Sequence, residues 1–224
     1  MKSSKIFLPS ANSANFREIC MGNIVPNKLF RSSHPIKENK QEETISMLAQ
    51  KVNISTVINL SDTMSDIWGK AAYAPWYNKL LSSGKIIALG MDFRCTSTGF
   101  RKKLKEALQF IIHTDGPYLI HCHAGVDRTG FICMVLESFM GASLDEVIKD
   151  YLMSFDNDFK SSIFSLSVKA DADTVMQILS VMSDSQAINE YNLQHITEIY
   201  LRSKVGLSVE EVEVLRGKLS KKSI

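Results

Sequence analysis

Gly116-Pro117-Tyr118-Leu119-Ile120-His121-Cys122-His123-Ala124-Gly125-Val126-Asp127-Arg128-Thr129-Gly130 is the stretch on which the reading of this 224-residue chain turns. The Gly-Pro pair is a breaker, and the short apolar run from Pro117 to His121 after it predicts a buried strand. Thr129 to Met140 is nearly all apolar (Phe131, Ile132, Cys133, Met134, Val135, Leu136, Phe139, Met140), which predicts a buried helix too short to cross a bilayer. Between them, Cys122 to Arg128 must be a tight loop from the C-terminal edge of a strand to a helix N-terminus.

Such a junction favours an anion. The first N–H groups of the helix lack intrahelical partners, and the helix dipole is positive there. Cys122 opens the loop, and N–H donors converging on its sulfur favour the thiolate and so a nucleophile. Arg128 closes the loop with a planar fork that fits two oxygens of a phosphate. Gly125 and Gly130 permit close backbone approach, and the Thr129 hydroxyl can donate to the sulfur. Backbone amides of His123, Ala124, Gly125, Val126 and Gly130 complete the expected phosphate cradle.

The pattern His-Cys-x-x-Gly-x-x-Arg-Thr-Gly resembles the signature of the cysteine-dependent protein tyrosine phosphatase superfamily. That resemblance implies a phosphocysteine intermediate on Cys122 and phosphoryl oxygens held by Arg128 and the loop amides. Other families fit less well. A nucleotide-binding P-loop would need Lys-Ser/Thr where Phe131-Ile132 stands. A zinc site on His121, Cys122 and His123 lacks a fourth ligand at useful spacing. Rhodanese-type loops have one residue fewer between cysteine and arginine. Arsenate reductases share the spacing and remain an alternative, as does a catalytically silent phosphopeptide-binding module. An inert buried cysteine is the bland reading, against which Arg128 and the two glycines count.

Two upstream segments, Asn15-Phe16-Arg17-Glu18-Ile19 and Leu29-Phe30-Arg31-Ser32-Ser33, alternate in polarity and predict an antiparallel pair linked through Gly22-Asn23 and Pro26-Asn27. Together with Asp150-Tyr151-Leu152-x-Ser154 they resemble a bacterial atypical branch of that superfamily, which includes tyrosine and lipid phosphatases. The branch's Asp-Leu-Gly-Gly is replaced here by Glu18-Ile19-Cys20-Met21. Arg17 and Arg31 can reach towards the site, but structural or surface ion pairs are the commoner role.

The remaining pattern alternates strands with helices. Helical spacing covers 42–51, 64–81 with a break at Ala74-Pro75, 100–113, 143–153, 171–182 and 189–204, and strands are expected at 54–60 and 85–91. Ser143-x-x-Glu146 and Ser208-x-x-Glu211 are capping boxes, and Gly206 is a helix stop. The aromatic cluster Trp68, Tyr73, Trp76 and Tyr77 reads first as packing over the sheet and second as a substrate wall. The expected fold is α/β: a central, mostly parallel sheet flanked by helices, with residues 1–14 an extension, 15–224 one domain, and 160–224 its helical C-terminal part.

Composition narrows the partners. An apolar content of 45% supports a sizeable core, and a net charge of +2 gives no argument for nucleic acid or a membrane surface. No run is long enough to cross a membrane, and Met1 to Asn15 does not read as a secretory signal. Four cysteines without paired spacing suit a reducing compartment, so a cytoplasmic location is expected, with signal-independent export left open. The lysine-rich end, Lys218 to Lys222, reads as a solvated tail. No metal or organic cofactor is expected, since the loop supplies the positive field.

A leaving oxygen needs a proton, and two aspartates compete to give it. Asp127 lies within the loop, where the bacterial branch places its proposed acid; Asp92 lies thirty residues before Cys122, near where the superfamily's upstream acid falls. Repulsion by the phosphate should raise Asp127, which slightly favours it, while Asp92 is followed by a ready partner in Arg94. Phosphoinositide-directed relatives carry lysines in the loop, but here those places are His123 and Val126. Phosphotyrosine, extending to phosphoserine and phosphothreonine, therefore ranks ahead of phosphoinositides and inositol phosphates.

Overall fold

In the computed structural model, which describes residues 14–36, 40–70, 74–156, 171–184 and 186–220, the run before Cys122 is the central strand of a five-stranded sheet. The strands are β1 (Arg17–Ile19), β2 (Leu29–Ser32), β3 (Thr56–Asn59), β4 (Ile86–Ala88) and β5 (Tyr118–His121), in the order β1-β2-β5-β3-β4. β1 pairs antiparallel with β2, as its alternating sequence predicts; every other pairing is parallel.

Strand periodicity divides the core into two layers. Phe30, Val57 and Leu119 point to one face, where they pack with α1 (Lys40–Lys51), α2 (Met64–Lys70) and α3 (Pro75–Ser82). Leu29, Ile58 and Ile120 point to the other, towards α4 (Thr98–His113), α5 (Asp127–Phe139) and α6 (Leu144–Asp156). α5 is buried from Thr129 to Phe139, hence its lack of a polar face. Each of its large apolar side chains contributes roughly 1.5–3 kcal/mol by burial. Both capping boxes form, Ser143 with Glu146 and Ser208 with Glu211.

The C-terminal helices belong to the same core. α7 (Ala172–Leu179), a 3-10 turn at Ser180–Met182, α8 (Leu193–Tyr200), a π turn at Leu201–Val205 ending at Gly206, and α9 (Val209–Leu219) bury Val175, Leu179, Leu193, Ile196, Tyr200 and Leu215, with α7 against α6, α8 against α5 and α9 against α4. Residues 160–170 of that part lie outside the described residues.

Ala14 is fully buried, and its carbonyl accepts from the Ser33 N–H at 2.8 Å. Two expectations need correction. Lys218 is not part of a solvated tail. It lies in the last turn of α9, where its ammonium donates to the Thr114 carbonyl (2.9 Å) and the Asp115 carboxylate (2.7 Å). Of the aromatic cluster, Tyr77 is buried over the sheet but Trp68 is exposed, because α2 turns only Ile67 inward; Tyr73 lies outside the described residues.

The parallel order brings the C-terminal ends of β2, β5, β3 and β4 to one edge, so the loops after Ser32, His121, Asn59 and Ala88 cluster there. That is where an open α/β sheet builds a binding crevice.

Candidate active site

The loop between β5 and α5 is held from outside by its carbonyls. The His123 carbonyl accepts from the His34 N–H (3.2 Å), the Ala124 carbonyl from Asn15 Nδ2 (3.0 Å) and the Gly125 carbonyl from Arg31 Nη2 (2.8 Å). In a trans peptide the C=O and the following N–H point oppositely. Three carbonyls fixed outward therefore turn the N–H groups of Ala124, Gly125 and Val126 inward, over the position of an anion. α5 begins at Asp127 and adds its N-terminus to the same point.

Gly125 is required twice over. Its φ is +72°, and a Cβ there would meet the Ser32 carbonyl oxygen at 2.5 Å. Gly125→Ala is expected to cost about 3 kcal/mol, combining the left-handed backbone with a backbone clash, read as a lower Tm in thermal melts. An unchanged Tm would mean that the loop does not pack against β2 in this way. A Cβ on Gly130 would meet the Tyr151 ring at 2.5 Å, so this glycine lets α6 close on α5.

Cys122 lies at the base of the loop, 2% exposed. Arg128 is half-buried, and its Nη1 donates to the Met91 carbonyl (2.9 Å) and, more weakly, to that of Leu60 (3.4 Å). A planar fork anchored along one edge to two strand ends is presented in a fixed plane. The Thr129 hydroxyl is fully buried and has no hydrogen-bond partner. The expected bond to the Cys122 sulfur is thus not made here; the hydroxyl remains an uncompensated donor beside the loop.

The two aspartates sit in opposite surroundings. Asp92 is exposed and tied to Arg94, which donates from Nε at 2.8 Å and closes to 2.6 Å through Nη2; these bonds hold its carboxyl below the usual range. Asp127 is exposed as a residue, yet desolvation by the surrounding protein pushes its carboxyl up, against the opposing pull of Arg128. The two environments therefore shift the two carboxyls in opposite directions.

The sequence matches the family model of the tyrosine phosphatase family over residues 8–221. The chain belongs to that family. It is a cysteine-dependent phosphatase, a hydrolase. Among solved structures it is similar to the core catalytic domain of the PP-IP phosphatase SIW14 from S. cerevisiae in complex with citrate (18% identity, 85% of this chain and 88% of that one, TM-score 0.46). It is also similar to a second Siw14 catalytic core (18%, 86% and 88%, 0.44) and to the Cydia pomonella PTP-2 phosphatase (16%, 90% and 91%, 0.37). No curated protein matches it in sequence.

Around this phosphatase loop the fold assembles residues that sequence reasoning did not place at the site. Behind Cys122, the buried His121 accepts from the Tyr77 hydroxyl at Nε2 (3.3 Å), and Tyr77 in turn accepts from Asn59 Nδ2 (3.1 Å). Burial keeps this imidazole well below its usual range, hence neutral. Asn59 also donates to Asp62 (2.9 Å), whose carboxylate accepts from His34 Nε2 (2.6 Å). Because His34 Nδ1 accepts from the Ile36 N–H (3.2 Å), Nε2 is the ring nitrogen that donates to Asp62. On the β2 side, Arg17 and Arg31 both converge on Asp150 and Ser154. The spacing Asp150-x-x-x-Ser154 on a helix was the available signal, since it puts two acceptors on one face.

Among the described residues no helix is long and apolar enough to cross a membrane, and no cluster of His, Cys, Asp and Glu could hold a metal ion.

Proposed function

We propose that the chain hydrolyses phosphate monoesters through a phosphocysteine on Cys122, with phosphotyrosine-bearing proteins, and in second place phosphoserine and phosphothreonine ones, as substrates. The observation that carries this reading is the outward tethering of the loop carbonyls at His123, Ala124 and Gly125 around a buried Cys122. The Cys122 sulfur attacks phosphorus while Arg128 and the inward amides hold the non-bridging oxygens. Asp127 gives its proton to the leaving oxygen, then takes one from the water that releases phosphate. The Thr129 hydroxyl finds its partner in the leaving sulfur.

The substrate preference rests on charge. Val126 stands where a phosphoinositide-directed loop would carry a lysine, and the exposed His123, at the other variable place, supplies positive charge only when protonated. A panel of phosphopeptides, phosphoinositides and inositol phosphates, read by phosphate release with Cys122→Ser as the blank, tests the ranking. Phosphotyrosine peptides are expected to turn over fastest. A kcat/KM at least tenfold higher on a phosphoinositide or an inositol phosphate would reverse it. Arsenate reduction in place of phosphate release would reject it.

A further inference from the structure

Arg31 is fully buried, and its guanidinium has three kinds of partner. Nη1 donates to the Asp150 carboxylate at 2.5 Å, Nη2 to the Ser154 hydroxyl at 3.0 Å, and Nη2 also to the Gly125 carbonyl at 2.8 Å. Arg17 shares the first two acceptors, donating to Asp150 at 2.7 Å and to Ser154 at 2.8 Å, but has no bond to the loop. A second carboxyl, Glu137 on α5, is also fully buried nearby; burial and the neighbouring Asp150 push it well above the usual carboxylate range. The two guanidinium groups thus share the carboxylate of Asp150.

Burying this much charge is a poor route to stability, since packed apolar side chains of similar volume do as well or better. Retaining a guanidinium there needs another reason, and the bond to Gly125 supplies one. The Gly125 carbonyl is the one whose outward direction turns the Val126 N–H inward, next to Asp127 and Arg128. A neutral donor could satisfy that carbonyl, but a planar fork does it while locked on its other edge to α6, so the direction is rigid.

Resting on the phosphatase reading above, we infer that Arg31 is a positioning residue for the reaction: clamped by Asp150 and Ser154, it holds the Gly125 carbonyl outward and so presets the loop for a tetrahedral or trigonal-bipyramidal oxyanion. Arg31 does not touch substrate; its effect passes through the Gly125–Val126 peptide.

Arg17 provides the control, because it uses the same acceptors without touching the loop. Arg31→Lys keeps the charge but cannot span Asp150, Ser154 and Gly125 together. Arg17→Lys loses a comparable fork within the same cluster. Both variants should lose stability. Only Arg31→Lys should weaken orthovanadate binding, by about tenfold, and lower kcat on an aryl phosphate by about the same factor, as expected for a preorganising charge-assisted bond. Equal vanadate affinity in Arg31→Lys and Arg17→Lys overturns the inference. If Arg31→Lys does not fold, Asp150→Asn releases the clamp with Arg31 in place, and unchanged vanadate affinity there overturns it equally. A parent protein that neither binds vanadate nor releases phosphate would instead reject the underlying phosphatase reading.

Discussion

Cys122→Ser is expected to abolish phosphate release, by on the order of 10⁴-fold or more, with the fold retained. The substitution exchanges sulfur for oxygen in a fully packed position and leaves the loop bonds at His123, Ala124 and Gly125 intact, so Tm should stay close to that of the parent. A serine hydroxyl at this place has no base poised to ionise it. The neighbouring His121 is neutral, but its Nε2 is occupied by Tyr77, so it cannot accept the proton. The other thiols offer no substitute. Burial pushes Cys95 and Cys133 up to about 12, and burial with nearby carboxylates raises Cys20, so none is held as a nucleophile at neutral pH. Phosphate release by Cys122→Ser within about tenfold of the parent would therefore mean that the chemistry lies outside this loop.

The difference between what was legible and what was not follows from range. The strand at Tyr118–His121, the loop, and the buried helix after it are local features, and hydrophobic period plus a breaker identify them without tertiary information. The same holds for both capping boxes, whose partners lie three residues apart. The parallel register of β2, β5 and β3 is not local, yet it decides which loops share the edge with Cys122. Asn15, His34, Asn59 and Asp62 reach the loop only through that register, so none was recognisable as a site residue on its own. Arg17 and Arg31 are intermediate. A structural ion pair was their expected role, and Asp150 provides it, but the burial of Arg31 and its bond to Gly125 depend on a contact across 94 positions. Lys218 shows the converse error: a lysine-rich end suggests solvent, and a neighbouring carbonyl and carboxylate decide otherwise.

Leaving-group dependence should separate the two aspartates more sharply than any single rate. On an alkyl phosphate such as a phosphoserine peptide, the departing oxygen needs its proton, and Asp127→Asn is expected to lose about 10²–10³-fold in kcat/KM. On p-nitrophenyl phosphate, whose leaving group is stable as an anion, the same variant should lose less than about tenfold. Asp92→Asn should stay within about twofold on both, because its carboxylate faces solvent and Arg94 keeps it ionised. The pH profile carries the same sign. An acid acts while protonated, so the parent's turnover of the alkyl ester falls as pH rises through the Asp127 pKa; desolvation raises that pKa and moves the limb to higher pH. Asp127→Asn should abolish that limb, and Asp92→Asn should leave it in place. Stability should not confuse the result. A carboxyl whose pKa is raised on folding binds its proton more tightly when folded, so it loses stability as pH rises, and a neutral amide there removes that loss. A large, leaving-group-dependent defect in Asp92→Asn with none in Asp127→Asn would transfer the acid to the upstream loop. Equal, leaving-group-independent effects in both would mean that neither aspartate delivers the proton.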